Sequence, residues 1–506
     1  MCHRLIICLL IWGAVDTWAA AAARAQEPDE RSVWLLAARN ARKLGAYEQA
    51  IARYRAAINL DPTQWDAIAE LGWLLVETGR TADALEQFEA AAALAPDNLA
   101  LQRNTARAYG WAFQYERALA EFDSILNRFS GNTATTLERD GKEALWLGQL
   151  RRAEAAFERL VELEPQNSEV LFDLGQIAAR QERPAEAQAL YRRLLAAAPG
   201  HRQAALGLQL SERLQRPLLA LNYAFTDQQG YDGKRSIRYG LAGAEGRWYV
   251  SDELSARLGY QNAQFHFGRD SLLAHLGTLK FGYRPYGYLR LDGFMTALHY
   301  DHLGRDRVNV GASLSYDTLS DLTLRANFER RDLWENRTTV LDGITVNRLA
   351  ASVSGALGRR IDWTIEGNYA NYSDDNTRIG GELQASYRLL WFPRALRLLY
   401  RGNAFGFQRE RSYFSPGAYA TNTVAVEFQY WFGYPTKEDY LAEAPRNTYA
   451  IYYGISIDSN GKPFNEARGR LTYALVPKLD VGLSLKMIRS TVYDEWGAEG
   501  LISYTF

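Results

Sequence analysis

Cysteine is nearly missing from this chain of 506 residues: the only two, Cys2 and Cys8, sit at its extreme N-terminal end. Beyond them, disulfides, thiol nucleophiles and Cys-ligated metals are excluded. No charge of one sign dominates either. Lys and Arg number 58 against 59 Asp and Glu, a formal net charge of -1, and nothing in that balance favours a nucleic-acid partner. After the N-terminus no apolar run reaches the length of a membrane-spanning helix, so helical spans are not expected. Catalytic signatures are also scarce. There is no Gly-x-Ser-x-Gly elbow. His299-Tyr300-Asp301-His302 has the composition of a metal cluster, but on a strand its two histidines face opposite ways. The acidic stretches at Asp374-Asp375 and from Asp227 to Asp232 read as solvated loops, and Asn336-Arg337-Thr338 as a chance glycosylation sequon. The expectation is a non-enzyme with no cofactor and no metal.

The first segment has the pattern of an export signal. Arg4 precedes an apolar run from Leu5 to Val15, and Ala23-Arg24-Ala25 is a small-x-small cleavage pattern ahead of Gln26. Residues 1–25 are therefore expected to be a cleaved signal peptide, and both cysteines go with it.

From residue 31 to 199 the sequence repeats with a period of 34, marked by Pro62, Pro96, Pro165 and Pro199, with Ser130 at the remaining position. In the same phase stand Ala50, Ala84, Ala118, Ala153 and Ala187, each followed four residues later by an aromatic: Tyr54, Phe88, Phe122, Phe157 and Tyr191. Gly72, Gly141 and Gly175 fall where two helices must approach closely. Small residues at helix crossings, an aromatic knob in the second helix and a closing proline make up the tetratricopeptide pattern. Five copies and a capping helix over His201–Gln215 fill the region 26–216. Such solenoids bind proteins along their concave face. Trp65, Trp73 and Trp111 are candidates for that face, while Trp34 is expected in the core.

After Pro217 the period changes from helical to alternating. Of the 30 tyrosines 25, and of the 40 glycines 29, lie in 217–506. Leu219, Leu221, Tyr223 and Phe225 alternate with Ala220, Asn222 and Ala224; Val424, Val426, Phe428 and Tyr430 alternate with Thr423, Ala425, Glu427 and Gln429. Sixteen such segments begin near 218, 236, 254, 272, 288, 308, 322, 344, 361, 378, 396, 422, 447, 466, 479 and 497. An even number of two-faced strands with alternating short and long connectors is the pattern of an antiparallel transmembrane β-barrel. Short turns include 251–253, 285–287, 358–360 and 476–478; longer loops include 227–235, 332–343 and 408–421; 433–446 is a long charged connector on the short-turn side. No inserted plug is expected from loops of these lengths. The last strand carries Ile502, Tyr504 and Phe506 on one face, the form of a barrel-recognition signal.

The fold class is therefore an α-solenoid followed by a barrel of about sixteen strands, wide enough for a water-filled lumen. The inward set should be Arg257, Lys280, Arg290, Asp292, Arg325, Glu329, Arg331, Glu366, Arg401, Glu427, Arg468, Arg470 and Lys486, with Trp431 and Tyr452 among them. It leans positive. Rings interleaved with hydrogen-bonding groups suit a sugar chain.

Repeats followed by a barrel resemble the exopolysaccharide export proteins, among them the outer-membrane subunit of cellulose synthesis and the porin for poly-N-acetylglucosamine. Tyr413-Phe414-Ser415-Pro416 with Tyr419, in the connector before strand twelve, is similar to a segment of the YaiO-type outer-membrane barrels. The resemblance implies a bacterial outer-membrane conduit for polysaccharide with its repeats in the periplasm. The implied partners are periplasmic or inner-membrane proteins of polysaccharide synthesis or modification, the polysaccharide chain and outer-membrane lipid. A receptor, adhesin or assembly scaffold without transport is the alternative.

Overall fold

A computed structural model of the protein describes residues 29–230, 236–318, 322–358, 360–390, 394–432, 447–476, 478–491 and 493–506. The expected signal peptide and the connector 433–446 lie outside the described residues. A helical tetratricopeptide region is followed by a closed antiparallel barrel of sixteen strands. By packing the chain forms two units, one ending at Thr136 and taking in Gly200–Arg202, the other made of Leu137–Pro199 and Gln203–Phe506.

The first unit holds α1 (Glu30–Lys43), α2 (Tyr47–Leu60), α3 (Trp65–Glu77), α4 (Thr81–Leu94), α5 (Leu99–Trp111) and α6 (Tyr115–Arg128). The second holds most of α7 (Thr133–Leu147), then α8 (Leu150–Leu163), α9 (Ser168–Arg180), α10 (Pro184–Ala197) and α11, whose range is Arg202–Gln215. The phase read from sequence has a direct steric cause. A Cβ on Gly72 would stand 3.1 Å from the Phe88 ring, one on Gly141 2.5 Å from Phe157, and one on Gly175 2.6 Å from Tyr191. Each ring sits sixteen residues beyond its glycine, pressed flat on the bare backbone of the preceding helix. Ala50, Ala84, Ala118, Ala153 and Ala187 are all fully buried beside these rings. Within each repeat the two helices are joined through a left-handed residue, Gly45, Gly79, Phe113, Gly148 or Glu182. Glycine adopts that conformation freely, whereas Phe113 at φ 61° and Glu182 at φ 58° hold it against their own Cβ.

The barrel runs β1 (Leu218–Gly230), β2 (Ile237–Tyr249), β3 (Leu254–Phe267), β4 (Asp270–Tyr286), β5 (Leu289–Tyr300), β6 (Arg305–Asp317), β7 (Thr323–Asp332), β8 (Thr345–Leu357), β9 (Ile361–Tyr372), β10 (Asn376–Leu390), β11 (Arg394–Phe407), β12 (Tyr419–Trp431), β13 (Thr448–Asp458), β14 (Pro463–Val476), β15 (Leu479–Ser490) and β16 (Tyr493–Thr505). Each strand pairs antiparallel with its neighbours in sequence, and β1 closes on β16 from Leu218 opposite Thr505 to Gly230 opposite Tyr493. Closure leaves no edge, so every ladder is satisfied inside the wall. Both ends of the barrel segment emerge at one rim, here the terminal end; the opposite rim is the distal end. Strand β1 extends through 227–230, which alternation alone had assigned to a loop.

One face of the wall is apolar and exposed: Leu258, Leu279, Met295, Leu314, Leu349, Val424, Ile451, Leu483 and Ile502 all lie on it. A closed sheet wrapped in such a face has the architecture of a transmembrane barrel.

Candidate functional site

The inner face identifies itself by convergence. Side chains from six successive strands, β3 to β8, line one cavity of about 430 Å³, among them Arg257, Lys280, Asp292, Phe294, Glu329 and Arg348. They lie on the face opposite the exposed apolar one that carries Leu258, Leu279 and Leu314, which in a closed barrel is the inner face. Residues opposite each other across a ladder point the same way, so register carries this assignment around the wall. Arg257 faces Lys280, Lys280 faces Phe294, Gly311 faces both Phe294 and Glu329, and Glu329 faces Arg348. Further on, Glu366 faces Glu382, Glu427 faces Tyr452, Tyr452 faces Arg468 and Arg468 faces Lys486. Two-residue alternation then places Arg290, Arg325, Arg331, Arg401, Trp431 and Arg470 on this face as well.

The charges on this face are mostly arranged in side-by-side pairs. Lys280 reaches Glu245 at 2.5 Å and Arg257 the same carboxylate at 3.8 Å. Arg331 pairs with Glu329 at 3.7 Å, Arg397 with Glu427 at 3.8 Å, Arg401 with Glu382 at 3.9 Å, Arg468 with Glu466 at 2.5 Å and Lys486 with Glu495 at 2.6 Å. Arg290 pairs with Asp292 at 2.6 Å, and Arg348 with Glu366. Among the described residues, some arginines depart from the pattern: Arg325 donates to the Ser315 hydroxyl at 3.3 Å, Arg470 stands opposite Ala450 and Ser484, and Arg247 stands opposite Arg257. Aromatic rings lie between the pairs: Arg468 stands 5.0 Å over the ring of Tyr452, and Phe294 lies on Gly311, where a Cβ would collide with the ring. Glu245, Arg348, Glu382, Arg397, Glu466 and Glu495 belong to this wall although sequence reasoning passed over them. The alternation within β2, β8, β10, β11, β14 and β16 carried the signal.

At the distal end the inner face turns apolar and is covered, which corrects the expectation of no plug. Ala263, Phe265, Leu272, Ala274, Leu276, Leu298 and Tyr300 share parity with Arg257, Lys280 and Asp292, and all are buried. They are covered by Trp334, Val340 and Leu341 from the loop between β7 and β8. That loop folds into a short helix, α12 (Arg337–Asp342), started by a capping box: the Asn336 side chain accepts from the Thr339 amide at 2.9 Å, and the Thr339 hydroxyl accepts from the Asn336 amide at 3.1 Å. The Asn-x-Thr sequence read as a chance sequon is thus the first part of a helix cap. Trp334 donates to the Tyr300 hydroxyl at 3.0 Å, which donates to Asp332 at 2.6 Å. At the other end of α12, Arg307 donates to the Gly343 carbonyl at 3.1 Å, a cation at the negative end of a helix.

The loop between β11 and β12 covers the neighbouring sector. Tyr413 is fully buried, stacked on Tyr372 at 5.2 Å and 14° and 5.9 Å from Phe407, beside Val346 and Ala370. Its hydroxyl accepts from the Asn376 amide at 3.0 Å and donates to Asp374 at 3.2 Å. Ser415 accepts from the Arg411 amide at 2.7 Å, and the Pro416 carbonyl accepts from the Phe407 amide at 2.9 Å. The Tyr-Phe-Ser-Pro segment is therefore the fixing point of this loop on the inner wall. Asn336 donates to the Ser412 carbonyl at 2.8 Å and Phe414 donates its amide to Glu335 at 3.2 Å, which joins the two loops into one cover.

In the repeats, Trp65 is 39% exposed, while Trp73 and Trp111 pack on each other at 5.7 Å and on Phe88. Trp34, expected in the core, is 37% exposed. Lys142, Glu169 and Asp173 are buried together between α7 and α9, with Lys142 2.8 Å from Asp173. Burial pushes the Asp173 carboxyl up to about 7, against the pull of Lys142. In the His299–His302 stretch, His299 meets Asp306 at 2.7 Å and Asp301 meets His275 at 3.1 Å, and no group able to hold a metal stands among the described residues.

Tetratricopeptide helices followed by a closed sixteen-strand barrel with an apolar outer face define the class. The tetratricopeptide repeat family matches residues 14–137 and again 140–202. Among solved structures, the chain is similar to a bacterial polysaccharide outer membrane secretin (13% identity, TM-score 0.47, 58% of this chain and 99% of that one). It is also similar to OpdO of Pseudomonas aeruginosa (12% identity, TM-score 0.33, 57% and 96%) and to a thermophilic tetratricopeptide repeat protein of Thermus thermophilus (22% identity, TM-score 0.28, 36% and 100%). No curated protein matches it in sequence.

Proposed function

We propose that the chain is an outer-membrane conduit for the export of a polysaccharide, with residues 26–216 in the periplasm and residues 217–506 in the membrane. The observation that carries this reading is the inner wall: most of its charges neutralise one another in pairs, and Tyr452, Phe294 and Trp431 stand among them. A paired wall offers hydrogen bonds in every direction without a strong fixed field, and rings stack on the C–H faces of sugars. A bore of sixteen strands exceeds what side chains fill. In this reading the terminal end faces the periplasm, where Trp65 and its neighbours recruit synthesis or modification proteins, and the apolar outer face meets lipid. Arg257, Lys280, Arg325, Arg331, Glu366, Arg401, Glu427, Trp431, Arg468, Arg470 and Lys486 line the path.

The test is release of an entrapped uncharged hexasaccharide from liposomes carrying the purified chain. Release faster than from empty liposomes supports the conduit. The covered distal end favours a second reading, a receptor or scaffold without transport. No release, either from the intact chain or from one with residues 335–342 replaced by a short Gly-Ser turn, would leave that reading in its place.

A further inference from the structure

At the terminal end, inside the second unit, a groove of about 700 Å³ lies between α8 and the α9–α10 turn on one side and the turns of β2–β3 and β4–β5 on the other. Its aromatic element is a tyrosine pair, Tyr286 and Tyr288, stacked 5.2 Å apart with planes 4° from parallel. Arg151 covers Tyr288, 4.2 Å from the ring centre, and donates to the Tyr316 hydroxyl at 3.0 Å. Tyr286 is 56% exposed. Glu154, Glu158, Glu186, Asp252 and Glu253 line the groove against Arg151, Arg183 and Arg284. Each arginine is already engaged: Arg183 with Glu154 and Glu186, Arg284 with Glu182 at 2.6 Å, and Arg151 with the rings of Tyr288 and Tyr316. An anionic ligand would meet only engaged cations and a surplus of carboxylates. Arg284 also borders the luminal cavity with Arg257, Lys280 and Asp292, so the groove and the lumen meet at one side chain.

We propose that this groove is a saccharide subsite at the entrance of the lumen, taking an uncharged, flat β-linked sugar chain with one ring face on Tyr286 and hydroxyls donated to Glu158 and Glu253. The subsite rests on the conduit reading for passage of the bound chain into the lumen, not for binding itself. Chains with equatorial linkages present flat C–H faces that match an exposed aromatic ring, and carboxylates accept from sugar hydroxyls as charge-assisted hydrogen bonds. Arg151 acts as a positioning residue: it holds Tyr288, and through it Tyr286, at a fixed angle.

Titration calorimetry on the full chain in detergent tests this, with β-1,4-glucohexaose and its fully N-acetylated counterpart as uncharged probes and hexagalacturonate as the anionic one. At least one uncharged probe should bind, about tenfold or more weaker in Tyr286→Ala and largely restored in Tyr286→Trp, with hexagalacturonate weaker than either. Resistance of the barrel to detergent unfolding, read by its shift on unboiled gels, should be unchanged. Binding by neither uncharged probe, binding indifferent to Tyr286→Ala, or a preference for hexagalacturonate would each overturn the proposal. So would a variant whose only defect is barrel assembly, because Tyr286 would then be a membrane-interface anchor. Sugar release from liposomes separates this outcome from the fate of the conduit: release that survives Tyr286→Ala keeps the conduit without the subsite, and Tyr286-dependent binding without release keeps the subsite without the conduit.

Discussion

Tyr413→Ala should loosen the cover over the distal end of the bore. Tyr413 is fully buried against Tyr372 and Phe407, and its hydroxyl joins Asn376 to Asp374. Truncating a buried aromatic to alanine costs about 3–5 kcal/mol. Asn376 retains the Arg409 carbonyl at 2.8 Å, so the lost hydroxyl adds only about 1 kcal/mol. The barrel is held by ladders that the substitution does not touch, so the loss falls on loop 408–418. A loss of about 4 kcal/mol raises the ratio of released to docked loop roughly a thousandfold; Tyr413→Phe, which keeps the ring, should raise it about fivefold. The scarcity of cysteine supplies the assay. With Cys2 and Cys8 absent or replaced, a single Ser415→Cys, at a position 2% exposed, should resist maleimide in the parent and label rapidly beside Tyr413→Ala. Single-channel steps should grow in the same order, Ala above Phe above parent. Labelling and conductance both indifferent to Tyr413→Ala would refute the assignment of this loop as a cover.

Two further outcomes concern the repeats. Ala153→Leu should overpack a fully buried helix crossing and destabilise the repeats by about 1–3 kcal/mol, whereas Arg159→Ala on the exposed face should stay within about 0.5 kcal/mol; thermal melts showing equal effects would contradict the register. Asp173 has a folded pKa raised to about 7 from an ordinary 3.8, so it adds stability that is full below the lower value, declines as pH rises between them and is gone above the upper. Repeat melting should therefore fall from pH 5 to pH 8 by more in the parent than in Asp173→Asn, by roughly 1–3 kcal/mol, and parallel profiles would show that Lys142 fully offsets the burial.

Periodicity made the architecture legible. Ala and aromatic positions at a 34-residue phase are dictated by rings lying on bare backbone, as Gly141 and Phe157 show, and such constraints leave a mark in any single sequence. Alternation likewise located all sixteen strands, because each residue of a barrel wall must choose lipid or lumen. The candidate site was legible in its parity and not in its pairing. Arg401 and Lys486 were readable as inward, but their pairing with Glu382 and Glu495 depends on register between strands, which no local pattern records. The distal cover was illegible for another reason. Trp334, Val340 and Tyr413 belong to loops of ordinary length, and whether a loop folds in or out is decided by apolar patches far away in sequence, Phe265, Leu276 and Leu298 for the first loop and Val346, Ala370 and Tyr372 for the second. Its one local trace, the cap at Asn336, has the same letters as a sequon.

Conduction by the full chain in a planar bilayer tests the account most directly. The chain, and more strongly the form with residues 335–342 replaced, should conduct in discrete steps that favour anions, because Arg325 and Arg470 pair with no carboxylate among the described residues and raise the local anion concentration. Changing Arg468→Glu and Arg470→Glu together should lower that preference without unfolding the barrel, since the lumen tolerates charge, whereas Leu471→Arg on the outer face should cost about 2–4 kcal/mol near the mid-membrane plane. Silent bilayers from both forms, or a selectivity unmoved by the paired substitution, would contradict the conduit.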